Sequence, residues 1–232
     1  MTAILNLLSA RGGGDPYFSS VSLLLHMDGS NNGTTFTDSS RFARAITAGG
    51  ATVTSTTQIQ YGTASGYFPA STGSHLSAVS SSDFIFGTGD FTVECWLYQT
   101  ARGTAPSIFA TSVNSAGSGG PNLYLDNGYP VFFSFVSNAV IITSSVAVAL
   151  NTWTSVALVR AGGTAYIFVN GTQCGSAANS QNFTNGSFPA VGGYASGTEL
   201  PFTGYIDELR VTKGVGRYTS TYTPFGPFPN SA

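Results

Sequence analysis

Charge is what this chain has least of. Of 232 residues, eight are Lys or Arg and ten are Asp or Glu, so only 8% are charged and the net charge is −2. Lys213 is the single lysine. No basic patch or stripe is present, which excludes nucleic acid as a partner. No apolar run approaches the length needed to cross a bilayer, so no membrane partner is expected. The first ten residues, Met1 to Ala10, lack the basic start of a secretory leader and read as a retained segment. Two cysteines, Cys95 and Cys174, are too few for a disulfide-built scaffold. They read as small core residues, with a disulfide as the alternative. His26 and His75 are the only histidines, and neither has a Ser or Cys partner with the logic of a catalytic triad. No glycine-rich phosphate loop precedes a helix.

What is present points to short strands. Hydrophobic residues make up 42% of the chain and glycine contributes 29 positions. That supplies a core and many turns, unlike a disordered composition. Phe91 to Tyr98 alternates, with Phe91, Val93, Cys95 and Leu97 on one face and Thr92, Glu94, Trp96 and Tyr98 on the other. The second face holds two large aromatics and a carboxylate, so it is not an ordinary solvent face. Val21 to His26 reads as a strand buried on both faces, and Phe36 to Ser40 as a short one. Asp126-Asn-Gly128 and Asn170-Gly171 signal hairpins. Ser112 to Pro121 is an exposed glycine- and serine-rich loop. The Asn-x-Ser/Thr matches at Asn32, Asn170, Asn182 and Asn185 read as turns. About a dozen strands and no internal helix are expected, as in a sandwich or jelly roll.

Thr203 to Thr219 organises the rest. Period two puts Tyr205, Asp207, Leu209 and Val211 on one face and Ile206, Glu208, Arg210 and Thr212 on the other. Asp207 then breaks an apolar face, and needs hydrogen bonds, a cation or water. Gly-Tyr-Ile-Asp-Glu-Leu-Arg-Val-Thr-Lys-Gly resembles the closing strand of laminin-G-like, concanavalin A-type jelly rolls. Leu23 to Gly29, Phe36 to Ser40, Phe86 to Trp96, and Asn151 to Gly171 match the same pattern. Arg217-Tyr-Thr219 and the Pro-Phe tail resemble versions found in bacteriophage and marine bacterial proteins. The resemblance implies an all-β, two-sheet antiparallel jelly-roll sandwich over residues 20–228, after an arm and Gly/Pro linker at 1–19 and before a tail at 229–232.

Function follows from the same resemblance. Jelly-roll glycoside hydrolases need two carboxylates on one face, roughly 5 to 10 Å apart. Here Glu94 has no acidic partner at 92, 96 or 98, and Asp207 and Glu208, being adjacent, should point to opposite faces. Glu199 is the one other glutamate. The expectation is no enzyme and no cofactor. A structural calcium between Asp28 and Asp207 is implied by the family, against a reading of Asp28 as a turn residue and Asp207 as bonded to backbone amides. The phage resemblance implies a virion protein made in the host cytoplasm, a capsid decoration or head or tail appendage. Its partners would be other virion proteins and copies of itself, attached through Ile4, Leu5, Leu7 and Leu8. The alternative is a carbohydrate-binding module, with Trp96 and Tyr98 stacking on sugar rings and Glu94 bonding hydroxyls.

Overall fold

A computed structural model describes residues 13–69, 71–112, 119–196 and 200–232. The expected attachment residues Ile4, Leu5, Leu7 and Leu8, Glu199, and most of the loop expected at 112–121 lie outside them. The strands are β1 Val21–Leu25, β2 Ile46–Gly49, β3 Val53–Ser55, β4 Ser65–Pro69, β5 His75–Ala78, β6 Phe91–Gln99, β7 Ser107–Ala110 and β8 Pro121–Asp126. They continue with β9 Tyr129–Ser134, β10 Ala139–Thr143, β11 Thr154–Ala161, β12 Thr164–Val169, β13 Thr172–Ala178, β14 Ala190–Val191 and β15 Thr203–Lys213. The described helix is limited to single 3₁₀ turns at Phe18–Ser20 and Ser82–Phe84.

Two antiparallel sheets form a sandwich. One runs β13-β12-β11-β6-β15-β4-β3, with β1 also against β15, and the other runs β10-β9-β8-β7-β14-β5-β2. Between them lies a core that includes Phe91, Val93, Cys95 and Leu97 of β6, Leu123 and Leu125 of β8, Phe132 of β9 and Leu158 of β11. The alternation of β6 is therefore as expected. Both hairpin signals act through backbone conformation: Asn127 and Gly128 have φ of 50° and 90°, and Asn170 and Gly171 have 49° and 75°. Cys95 and Cys174 are both buried and unpaired with each other. Phe36 to Ser40 forms only isolated bridges, not a strand. Its Asp38 carboxylate instead takes the amides of Leu24, Ser40 and Arg44.

The closing strand departs from simple alternation. β15 pairs with β6 along its length, but its other edge changes partner, from β4 at Thr203 to Ile206 to β1 at Leu209 to Thr212. At the change Asp207 faces Trp96 and Arg210 faces Glu94, so β15 carries one residue more than β6. Glu208 takes up the extra residue with φ of 50°, a β-bulge. The bulge reverses the phase: Ile206, Leu209 and Val211 all enter the core. Tyr205, Asp207, Arg210 and Thr212 share the outward face. Asp207 thus does not break the apolar face, and it does not oppose Glu208 across the sheet. Both expectations assumed an unbroken period of two, which one inserted residue removes.

Candidate functional site

The outward face of the eight-stranded sheet is divided in two. Half is sealed by the chain after β15. Tyr218 and Tyr222 stack at 3.5 Å and pack on Ala157, Val159 and Phe168. Phe225 and Phe228 pack on Val21 and Leu24 of β1, which explains why β1 is buried on both sides. Beneath this cover sits a charged network. Arg210 donates to Glu94 Oε1 from Nε at 3.0 Å and Nη2 at 2.8 Å, and to Asp15 Oδ2 at 3.0 Å. Arg217 donates to both oxygens of Asp15, and the Tyr218 hydroxyl donates to Glu94 Oε2 at 2.9 Å. The Phe228 ring lies 3.9 Å from the Arg210 guanidinium. Asp15 is 2% exposed, so the expected linker enters the domain at that residue. Burial pushes its carboxyl up, but the bond and charge of Arg217 and the charge of Arg210 outweigh this and hold it below the usual range.

At the bulge, Asp207 accepts from the amides of Gln60 and Tyr61 at 3.0 Å each and of Glu208 at 2.9 Å. Glu208 is bonded to His26 Nδ1 at 2.8 Å and accepts from Phe228 N at 2.7 Å. Asp28 accepts from the Thr63 amide and hydroxyl. The carboxylates of Asp28 and Asp207 are therefore engaged by turn and loop donors, and the described residues hold no group of three His, Cys, Asp or Glu arranged for a metal. The described glutamates, Glu94 and Glu208, are both buried and bonded, so neither stands open to a ligand.

These groups set the response to pH. Burial pushes Asp207 up to about 7, against the pull of its three amides. Burial lowers His26, but the bond and charge of Glu208 exceed it and raise the ring. A raised carboxyl favours the protonated folded state, so stability falls as pH climbs from 3.8 toward about 7. A raised imidazole contributes fully below 6.5 and loses that contribution as pH rises through its folded value. Both act in one direction, so the domain should lose on the order of 2 kcal/mol between about pH 5 and about pH 8. Urea unfolding across that range tests it, with Asp207→Asn expected to flatten the fall. A stability that rises with pH would count against both assignments.

The other half of the face is open and aromatic. Tyr67 of β4 pairs with Tyr205 of β15, which pairs with Tyr98 of β6. Trp153 precedes Thr154, the partner of Leu97, and so falls beside Tyr98. The four rings form one row across four strands, with centroids 4.9, 5.8 and 5.6 Å apart. One step along β6, Trp96 meets Tyr61 at 5.7 Å. All six rings are half-buried. Asp207 fixes the amide of Tyr61, and so holds that ring over Trp96. Gly204 lets β15 pass close to β6 beside the row: a Cβ there would lie 2.1 Å from the Tyr98 carbonyl oxygen. The structure thus brings Trp96 and Tyr98 together and removes Glu94, which lies under the cover with its oxygens spent on Arg210 and Tyr218. Tyr61, Tyr67, Trp153 and Tyr205 join them, a set visible only once strand register is known.

A model of the concanavalin A-like lectin/glucanases superfamily matches residues 70–215, more than half of the chain. The chain belongs to that superfamily. No curated protein matches the sequence. Among solved structures, the fold is similar to the binding domain of Paraclostridial Mosquitocidal Protein 1, with TM-score 0.65 and 12% identity over 87% of this chain and 51% of that one. It is similar to the botulinum neurotoxin serotype G binding domain, with TM-score 0.63 and 14% identity over 84% of this chain and 48% of that one. The chain spans about half the length of these toxin domains. Domain 4 of AbnA, an extracellular arabinanase of Geobacillus stearothermophilus solved with arabinotriose, gives TM-score 0.60 and 17% identity, covering 84% of this chain and 93% of that domain. At these identities the likeness is one of fold.

Proposed function

We propose that this protein is a non-enzymatic, lectin-like module that binds carbohydrate on the open aromatic half of its eight-stranded sheet. One observation carries the proposal: six rings stay half-exposed on a face whose other half the chain closes with its own tail. Aromatic rings that serve only packing are normally covered, whereas rings left partly wet suit the C–H face of a sugar with its hydroxyls in water. The proposal draws support from relatives of the same fold, one solved with arabinotriose and another, a botulinum neurotoxin binding domain, in complex with SialylT. In the virion setting that the sequence resemblance implies, the module would be carried on a phage particle by the arm at 1–19, through Ile4, Leu5, Leu7 and Leu8, and would present this face to a surface glycan.

A glycan array of the wild type and of Trp96→Ala and Tyr98→Ala tests the proposal. Wild-type binding should fall at least about tenfold in each variant, roughly 1.4 kcal/mol, with the fold retained. Absence of any binding by the wild type would defeat the lectin reading.

A further inference from the structure

Resting on that carbohydrate reading, we infer that the ligand is an uncharged, single glycan chain lying along the row, across the strands, and not an acidic terminal sugar. The row has direction. Its rings come from β4, β15, β6 and the residue that leads into β11, so their spacing follows the spacing of strands. Steps of 4.9, 5.8 and 5.6 Å are close to the length of one unit in an extended sugar chain. Four consecutive ledges suit several consecutive units, more than a single end group needs.

The ledges are not coplanar. Tyr98 is turned 80° from Tyr205 and 60° from Trp153, while Tyr67 and Tyr205 differ by 36°. Rings so inclined cannot lie together under the flat surface of a packed, crystalline polysaccharide. They can each meet one unit of a soluble chain that turns along its length.

Charge decides between neutral and acidic sugars. On this face the described ionic groups are withdrawn: Arg210 and Arg217 are spent on Asp15 and Glu94, and Asp207 on amides. Among the described residues no guanidinium lies over a ring of the row, and Arg102, just past the end of β6, is spent on Gln99 Oε1. An anionic sugar would shed water there without a counter-charge, which is costly, whereas a neutral ring would not.

Titration calorimetry separates the outcomes. The probes are neutral arabino-, xylo- and cello-oligosaccharides from one unit to six, and an acidic set of sialylated and uronic-acid oligosaccharides. At least one neutral series should gain about tenfold or more in affinity from one unit to four and then level off, with little change on adding salt. Tyr67→Ala and Trp153→Ala, at the ends of the row, should lose that gain with length while the shortest ligands bind as before. Preference for the acidic set, or affinity independent of length, would overturn the inference and leave the lectin reading standing if Trp96→Ala still abolished binding. No binding by either set would overturn the inference, and the lectin reading falls with it only if the glycan array is also empty.

Discussion

Replacing Arg210 by alanine is expected to cost about 3–5 kcal/mol of folding stability. The reason is what the substitution leaves behind. Arg210 is 1% exposed and stands between Glu94 and Asp15, both equally hidden. Without it Glu94 keeps the Tyr218 hydroxyl and a more distant Arg217, and Asp15 keeps Arg217 and the Tyr17 amide. Two carboxylates would then share one guanidinium away from water, and Phe228 would lose the cation it rests on. Urea denaturation of the variant gives the number directly. A loss under about 1 kcal/mol, the level of an exposed ion pair, would show that water reaches this network.

Ending the chain at Arg217 is expected to have a still larger effect: no cooperative folded state. The truncation removes Tyr218, Tyr222, Phe225 and Phe228, which cover Ala157, Val159, Phe168, Val21 and Leu24. Burying one large apolar side chain contributes about 1.5–3 kcal/mol, and several are lost together. Glu208 also loses the Phe228 amide, and Glu94 the Tyr218 hydroxyl. The total is on the scale of a whole domain's margin of about 5–15 kcal/mol. Circular dichroism and a thermal melt of the shortened chain decide the matter. A cooperative melt within a few degrees of the full chain would mean that the tail is an accessory and not a third layer.

The fold was largely legible in the residues and the site only half so. Alternation in β6 and the Asn-Gly turns act over a few neighbours, and a linear reading finds them. The bulge at Glu208 is invisible that way, because it arises where β15 trades β4 for β1, and those strands are far apart in the chain. One extra residue then moved Asp207 and Ile206 to faces opposite those that period two assigns. Glu94 shows the same limit. Its position beside Trp96 and Tyr98 is plain in sequence, yet its environment depends on residues 15, 210, 217 and 218. A clue was available: with so few charges, Glu94 and Arg210 inside alternating strands need partners, and each can be the other's. The row of Tyr67, Tyr205, Tyr98 and Trp153 left no such clue, since register alone aligns it.

The Asp15 amide donates to the Ser231 carbonyl at 2.8 Å, and Gly14 lies against Ala232. Residues 14–15 and 231–232 therefore meet at one corner of the tail-covered side. A short bridge between residues 14 and 232 would span that corner, and a cut at the open turn of Gly162 and Gly163, where an added Cβ would touch nothing, would leave every sheet neighbour in place. Seen this way the architecture has no obligatory starting point.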